Sequence, residues 1–434
     1  MSAVNDKKGL VLVAVLWVVM VLAVIVATVG RSSRLDTKVC LTRTEGLRCR
    51  WACRAGIETA TAVLNEDPKE SDCLLDLWSE NEEDFNNIEL ERCRFTARIV
   101  DEAGKLNVNT ATKEQFLALP YMTEEIADAI IDWRDSDDTP SKTGIEGGYY
   151  ENLPYRYTIR NGPFRTIREL LMVKGVTKEL LYGEDTNFNN QLDYNEKDAD
   201  RSPPVDDADD ELDKGWIAYL TCYSYEQNTD ASGERRININ QANENQLVQS
   251  LNIERSYARW IVENRRNRRY SSIADLISDQ SPREAQENSG RDSDRAQSLD
   301  LETFSSIADK ITVSNQNEVP GKVNINTAPR EVLMALLGAG ETAEQTADDI
   351  IAYREGLIYG MQSIAEVMNV GSVKVDTFKK IADSITVRSD VFTIRCFATA
   401  NRAGTDGTRL QTETIVDRSS TPCKILYWYQ GTSN

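Results

Sequence analysis

Leu106-Asn107-Val108-Asn109-Thr110-Ala111 returns as Ile237-Asn238-Ile239-Asn240-Gln241-Ala242, and again as Val323-Asn324-Ile325-Asn326-Thr327-Ala328. Each copy alternates apolar residues with asparagine. A polar cap follows, then an apolar helical stretch, a break and a second helical stretch. In the first copy the helices carry Phe116-Leu117 and Ile126-Ala127-Ile130. The pattern predicts three helix-hairpin-helix units, spaced too irregularly for a solenoid. Acidic and Ser/Asn/Pro-rich linkers such as 280–300 separate them, and segments 162–181 and 361–387 read as further helix pairs.

Units of this kind often grip DNA through a Gly-x-Gly hairpin whose backbone N–H groups hold a phosphate. Here the first hairpin reads Leu119-Pro120-Tyr121-Met122-Thr123 and the second Leu251-Asn252-Ile253-Glu254. The third has Gly338-Ala339-Gly340, but Glu341 follows at once and would repel a phosphate. Arg255, Arg259, Arg265, Arg266, Arg268 and Arg269 form the one basic cluster, read as a solvated helix face balancing nearby acids. Seventy acids against 50 bases, a net charge of -20, argue against phosphate neutralisation as the main task, so no nucleic acid is expected.

Outside this region the chain changes character. Segment 92–100 alternates with Cys93, Phe95, Ala97 and Ile99 on one face, a half-buried strand. Strand patterns return only at 392–398, 412–416 and 424–429. One strand before a long helical region and three after it predict a single antiparallel sheet split by an insertion. At the other end, Leu10 to Gly30 carries no charge and no proline, and at helical rise it spans roughly 30 Å, the thickness of a bilayer core. It is longer than the apolar region of a cleaved secretory peptide. An apolar stripe of Leu35, Val39, Leu47, Trp51, Ala55, Ile57, Ala60 and Leu64 carries the helical pattern on to about residue 65. The remainder of the chain has no second apolar span and is expected on one side of the membrane.

Segment 185–196 carries the strongest chemical signal. Oxygen side chains occupy loop positions one (Asp185), three (Asn187), five (Asn189), nine (Asp193) and twelve (Glu196), and Gln191 offers its carbonyl at position seven. That is the spacing by which a twelve-residue loop wraps calcium, with the last glutamate bidentate. The neutral asparagines suit a weak, extracellular-type site. Asp207, Asp209, Glu211 and Asp213 fit the same template incompletely; they read as either part of a second calcium site or an acidic linker. Eight cysteines without a CxxC pair, and no histidine, give no zinc signature. In an exported body they permit disulfides, Cys73 with Cys93 being the preferred pair, or else stay as buried thiols. With no histidine, GxSxG or phosphate loop, neither an enzyme nor a small-molecule substrate is expected.

Lys7-Lys8-Gly9 followed directly by Leu10 and an unbroken apolar run resembles the processing site of type IV pilins and type II secretion pseudopilins. The fifth residue of the processed chain, usually glutamate, is Ala14 here. With the split sheet, the helical insertion and the calcium loop, nearly the whole chain resembles the minor pseudopilins K of type II secretion systems. The resemblance implies cleavage between Gly9 and Leu10 by a prepilin peptidase, with methylation of the new N-terminus. It also implies a single-pass inner-membrane protein with a periplasmic head at the pseudopilus tip, assembled with minor pseudopilins I and J. The glutamate of ordinary pilins pairs with a neighbouring subunit's amine, so an apolar residue suits a subunit that nothing precedes. The expected fold is α+β: a long pilin-type helix on a small antiparallel sheet, with a large all-helical insertion of helix-hairpin-helix (SAM-like) units. The expected divisions are a leader (1–9), a membrane segment (10–30), the start of the head (31–104), a subdomain with the calcium loop (105–235), a second (236–320), a third unit (321–387) and the closing strands (388–434). A membrane-anchored DNA receptor of competence type is the alternative, and an ordinary signal anchor also fits residues 10–30.

Overall fold

In the computed structural model the described residues are 5–185, 188, 192–199, 201–202, 204, 206, 209–277, 299–338, 340–402 and 405–431. A 62-residue helix, Asn5–Glu66, opens the chain and is about 93 Å long at 1.5 Å per residue. Its uncharged part averages a hydropathy of 3.3 and is wholly exposed. Residues 31–44 are exposed too, and burial begins at Glu45.

The face that then meets the sheet is built largely of small residues, Cys49, Ala52, Cys53, Gly56 and Ala60, with Ile57 and Leu64 toward its end. The stripe expected from hydropathy holds at its far end, where Ile57, Ala60 and Leu64 are buried, and is corrected before it. Leu47 and Trp51 are 53% and 72% exposed, and Leu35 and Val39 also point to solvent. The helix lies too close to the sheet for bulky residues: a Cβ on Gly56 would come within 2.7 Å of Cys396 Sγ and 2.8 Å of Phe95.

Beneath the helix lies one five-stranded antiparallel sheet in the order Ile88–Leu90, Cys93–Asp101, Val391–Arg402, Thr405–Asp417, Lys424–Gly431. Cys93–Asp101 alternates buried and half-buried side chains along its whole length. It pairs directly with Val391–Arg402, Ala97 opposite Cys396. The expected split sheet is therefore present, with one extra short strand at its edge.

Within the insertion, each asparagine repeat begins as a two-residue strand. Leu106–Asn107 pairs in parallel with Leu220–Thr221, Ile237–Asn238 with Ile311–Thr312, and Val323–Asn324 with Ile385–Thr386. The insertion is thus helical in bulk but also carries short ladders. The helix pairs that follow are Lys113–Leu117 with Glu124–Arg134, Glu244–Leu251 with Arg255–Asn267, and Arg330–Leu337 with Glu341–Glu355. Between the two helices of each pair the chain passes through a positive φ, at Tyr121, Asn252 and Gly338.

The asparagines earn their recurrence by closing loops. In each unit the first accepts the backbone N–H of the second, at 2.9 Å (Asn107–Asn109), 2.9 Å (Asn238–Asn240) and 3.0 Å (Asn324–Asn326). The second brackets the backbone of a distant residue with both ends of its amide. Asn109 holds Phe164 (3.0 and 2.7 Å), Asn240 holds Tyr270 (2.9 and 2.9 Å), and Asn326 holds Met361 (2.9 and 2.8 Å). All three units share one apolar core, from Leu106 to Val387, while a second core lies between the long helix and the sheet.

Candidate functional site

The long helix offers two distinct surfaces. Residues 10–29 are exposed all round among the described residues, and Ala14 lies among them. Gly9 and Leu10 sit inside the continuous helix rather than at a break in it. Beyond Glu45 one face of the helix is committed to the head.

The acidic excursion from Glu184 to Asp213 is closed at its base by a backbone crossing. Glu184 N–H donates to Asp213 O at 2.7 Å, where Gly183 and Gly215 pass each other with φ of 63° and 64°. A Cβ on Gly183 would fall 2.1 Å from Asp213 O, so only glycine permits the crossing. Tyr121 Oη donates to Asp213 Oδ2 at 3.1 Å, tying the crossing to the first hairpin. Phe188 fastens the far side to the sheet: Arg98 donates to its carbonyl, and the Arg395 guanidinium lies 4.0 Å from its ring centroid. Burial pulls the Arg98 guanidinium below its usual value, opposed by the Asp185 carboxylate.

Of the expected calcium ligands, Asp185 and Glu196 are buried, while Asn187, Asn189 and Gln191 lie outside the described residues, as does Asp207 of the second set. Glu196 Oε2 accepts the Asp193 N–H at 2.9 Å, so positions nine and twelve of the loop do meet. Asp209 Oδ1 accepts the Glu211 N–H at 2.7 Å on the surface. Glu184, Asp198 and Asp206 are buried in the same excursion, the last accepting the N–H groups of Asp198 and Ala199 at 3.2 and 3.0 Å. The donor set is hard oxygen throughout, which suits calcium. Among the described residues, the two groups of three acids whose oxygens lie within 4.8 Å of one another are elsewhere: Asp67, Asp72 and Asp76, and Asp132, Asp135 and Glu146.

The structure does not bring Cys73 and Cys93 together. Cys73 Sγ donates to Asp76 Oδ1 at 3.2 Å beside the chain turn after the long helix, whereas Cys93 Sγ lies 3.6 Å from Cys49 Sγ. The expected pair fails because Cys93 faces the long helix from the first position of its strand.

The basic cluster has internal work. Arg265 Nη1 donates to the Ile239 and Ala242 carbonyls at 2.8 and 2.6 Å, and Arg255 and Arg259 lie 3.6 and 3.9 Å from Glu244. Arg134 and Arg354 repeat the first arrangement on Val108 and Ala111, and on Ile325 and Ala328.

Two family models match the chain, both described as protein K of the type II secretion system: one over residues 104–182, the other over 323–388. Over these two segments the chain matches the type II secretion protein K family. A curated relative, type II secretion system protein K of Aeromonas hydrophila, is 23% identical over 209 residues. That match takes in 42% of this chain and 62% of the relative, less than two thirds of its length. The crystal structure of the GspK-GspI-GspJ complex from the enterotoxigenic Escherichia coli type 2 secretion system contains a chain with a TM-score of 0.47 at 13% identity, covering 91% of this chain and 99% of that one. The two segments matched by the protein K models begin at the first and third asparagine repeats.

A second repeat lies beside the asparagine runs. Ile307-Ala308-Asp309-Lys310-Ile311-Thr312-Val313 and Ile381-Ala382-Asp383-Ser384-Ile385-Thr386-Val387 supply the strands that pair with the second and third asparagine runs. Thr312 and Thr386 each accept the N–H two residues on, at 3.0 and 3.2 Å, and Thr221 does the same at 3.0 Å. The near-identity of the two heptapeptides is the signal that would have revealed them.

Proposed function

We propose that this chain is a minor pseudopilin at the tip of a type II secretion pseudopilus, where it helps start assembly and so supports export of folded proteins across the outer membrane. The observation that carries the reading is the long helix, with an exposed, uncharged first segment and a head packed on its last turns. Such a surface needs a bilayer or other apolar helices around it. Ala14 places no carboxylate there, consistent with a subunit that follows no other. The head would lie in the periplasm, the partners would be minor pseudopilins I and J, and prepilin peptidase would cut between Gly9 and Leu10. The role is architectural rather than catalytic.

Mass spectrometry of the N-terminal peptide from membrane-extracted protein tests this reading. A chain beginning at N-methylated Leu10 is the expected result. An intact Met1, or a cut beyond Gly30, would remove the pseudopilin argument and return the anchored DNA receptor to contention.

The acidic excursion is proposed to bind calcium through Asp185, Asn187, Asn189, Gln191, Asp193 and Glu196, with Asp209, Glu211, Asp213 and Asp207 as candidates for a second ion. Buried acids crowded in one excursion repel one another, and a divalent cation relieves this. Adding EGTA should lower the melting temperature and expose the excursion to protease, and Glu196→Gln should abolish both responses. An unchanged melting curve in EGTA and in excess calcium would count against the site.

A further inference from the structure

Two of the eight cysteines meet where the long helix docks on the sheet. Cys49 Sγ lies 3.6 Å from Cys93 Sγ, and both side chains are fully enclosed. Cys49 sits one turn after the point where helix burial begins, and Cys93 is the first residue of its strand. The contact joins elements 44 residues apart in the chain. One helical turn further on, Cys53 Sγ donates to the Cys396 carbonyl at 3.4 Å, so the helix presents two thiols in succession to two neighbouring strands. Around them the helix contributes mostly alanine, glycine and cysteine, and the sheet packs Phe95 and Leu410 against this surface.

We infer that Cys49 and Cys93 are oxidised to a disulfide that fastens the long helix to the head sheet. The inference rests on the reading above that the head lies outside the cytoplasm, where disulfide donors operate. The oxidant is a disulfide, R–S–S–R, carried by an exported dithiol oxidoreductase or a small molecule. The thiolate of one cysteine attacks a donor sulfur, forming a mixed disulfide and releasing one R–S⁻. The second thiolate then attacks the protein sulfur of that mixed disulfide, forming the Cys49–Cys93 bond and expelling the second R–S⁻. Two protein thiols lose two electrons, the donor disulfide gains them, and the two protons pass to the two R–SH products.

An S–S bond is about 2.05 Å long, so the sulfurs must approach by roughly 1.5 Å, within reach of small side-chain rotations. Burial pushes the Cys49 thiol up to about 12 and raises Cys93 as well, which makes both poor nucleophiles once docked. Exchange therefore runs while the helix is still lifting from the sheet, and docking then seals the bond from reductants. Strain along the helix would be carried by this bond as well as by the packing around it.

The test uses the full chain in detergent micelles. Reduced, urea-unfolded protein is refolded in a mixture of reduced and oxidised glutathione, its remaining thiols are alkylated, and it is cut with a glutamate-specific protease without reduction. Mass spectrometry should find the peptide containing Cys49 joined to the peptide containing Cys93. The link should persist in Cys53→Ala and vanish in Cys49→Ser. Free, alkylated Cys49 and Cys93 in refolded wild type, or a link of Cys93 to Cys73 or Cys53 instead, would overturn the inference. The oxidised wild type should also unfold at higher urea than the same protein refolded without glutathione. Equal midpoints would count against a fastening role. The same digest on protein taken directly from membranes separates the two ideas: a link made in the tube but missing in cells fails the periplasmic reading and leaves the chemistry standing.

Discussion

An arginine closes each helix pair from within. Arg354 Nη1 donates to the Ile325 and Ala328 carbonyls at 2.8 Å each, and Arg265 and Arg134 do the same in their own units. These carbonyls sit where an extended run turns into a helix, beyond the reach of the helix's own ladder. Arg354→Ala should cost about 3 kcal/mol, the range for leaving buried partners of a charged hydrogen bond unsatisfied. Urea denaturation measures it, and Arg354→Lys should recover only part: an ammonium has donors for both carbonyls, but its stem is shorter and it is more strongly hydrated than a guanidinium. A second residue works against stability. Burial, with Asp132 and Asp135 close by, pushes Glu146 from an ordinary 4.5 up to about 7, and neither of its carboxylate oxygens has a hydrogen-bond donor among the described residues. The folded state thus binds the proton more tightly than the unfolded chain. Glu146 costs nothing below pH 4.5, stability falls as pH rises from there to about 7, and the full penalty applies above. Glu146→Gln should raise the melting temperature at pH 8 and leave it nearly unchanged at pH 4. An equal shift at both pH values would place the effect elsewhere.

The long helix teaches how far an element can be read in advance. Its existence and length were plain from unbroken apolar residues followed by a helical period, and the four main strands were plain from alternation. Its buried face was plain only at the far end, at Ile57, Ala60 and Leu64. Hydropathy favoured Leu47 and Trp51, yet the sheet takes Cys49, Ala52, Cys53 and Gly56, because close approach rewards small side chains over apolar ones. Gly56→Leu should therefore destabilise the head by about 2 kcal/mol or more through overpacking, read as a lower melting temperature and faster proteolysis near Arg54. Trp51→Ala, on the solvent side, should leave both unchanged in the isolated protein. The asparagine runs were legible because each copy is contiguous. Their closing partners were not, because Asn109, Asn240 and Asn326 reach 55, 30 and 35 residues ahead, so no single period connects them. In the acidic loop the ligand pattern is legible in the spacing of its oxygen side chains, and the fold adds the glycine crossing and the Phe188 clamp that hold its two ends.

At the scale of the whole molecule, two apolar cores are joined by a polar seam. Arg418, 1% exposed, donates to Asp67 at 2.6 Å and also to Asp72. Asp72 in turn accepts the Ser389 N–H, and Ser389 Oγ and Asn324 Nδ2 both reach Asp101. The third asparagine run is thereby bonded to the strand Cys93–Asp101 as well as to its own unit. Arg418→Met should cost about 4 kcal/mol, since it leaves buried carboxylates unpaired. The loss should appear as separate melting of head and insertion in calorimetry, where the wild type should melt as one. The seam and the central strand pairing also set a timetable. Cys93–Asp101 and Val391–Arg402 are hydrogen-bonded neighbours, yet the ribosome makes the second roughly 290 residues after the first, a delay of some 15 to 60 seconds at ordinary rates of elongation. Throughout that interval the nascent chain carries a finished apolar helix, an edge strand without its partner and a helix face with little to cover it. Whatever shields this half-made head must act late and let go only when the last strands arrive.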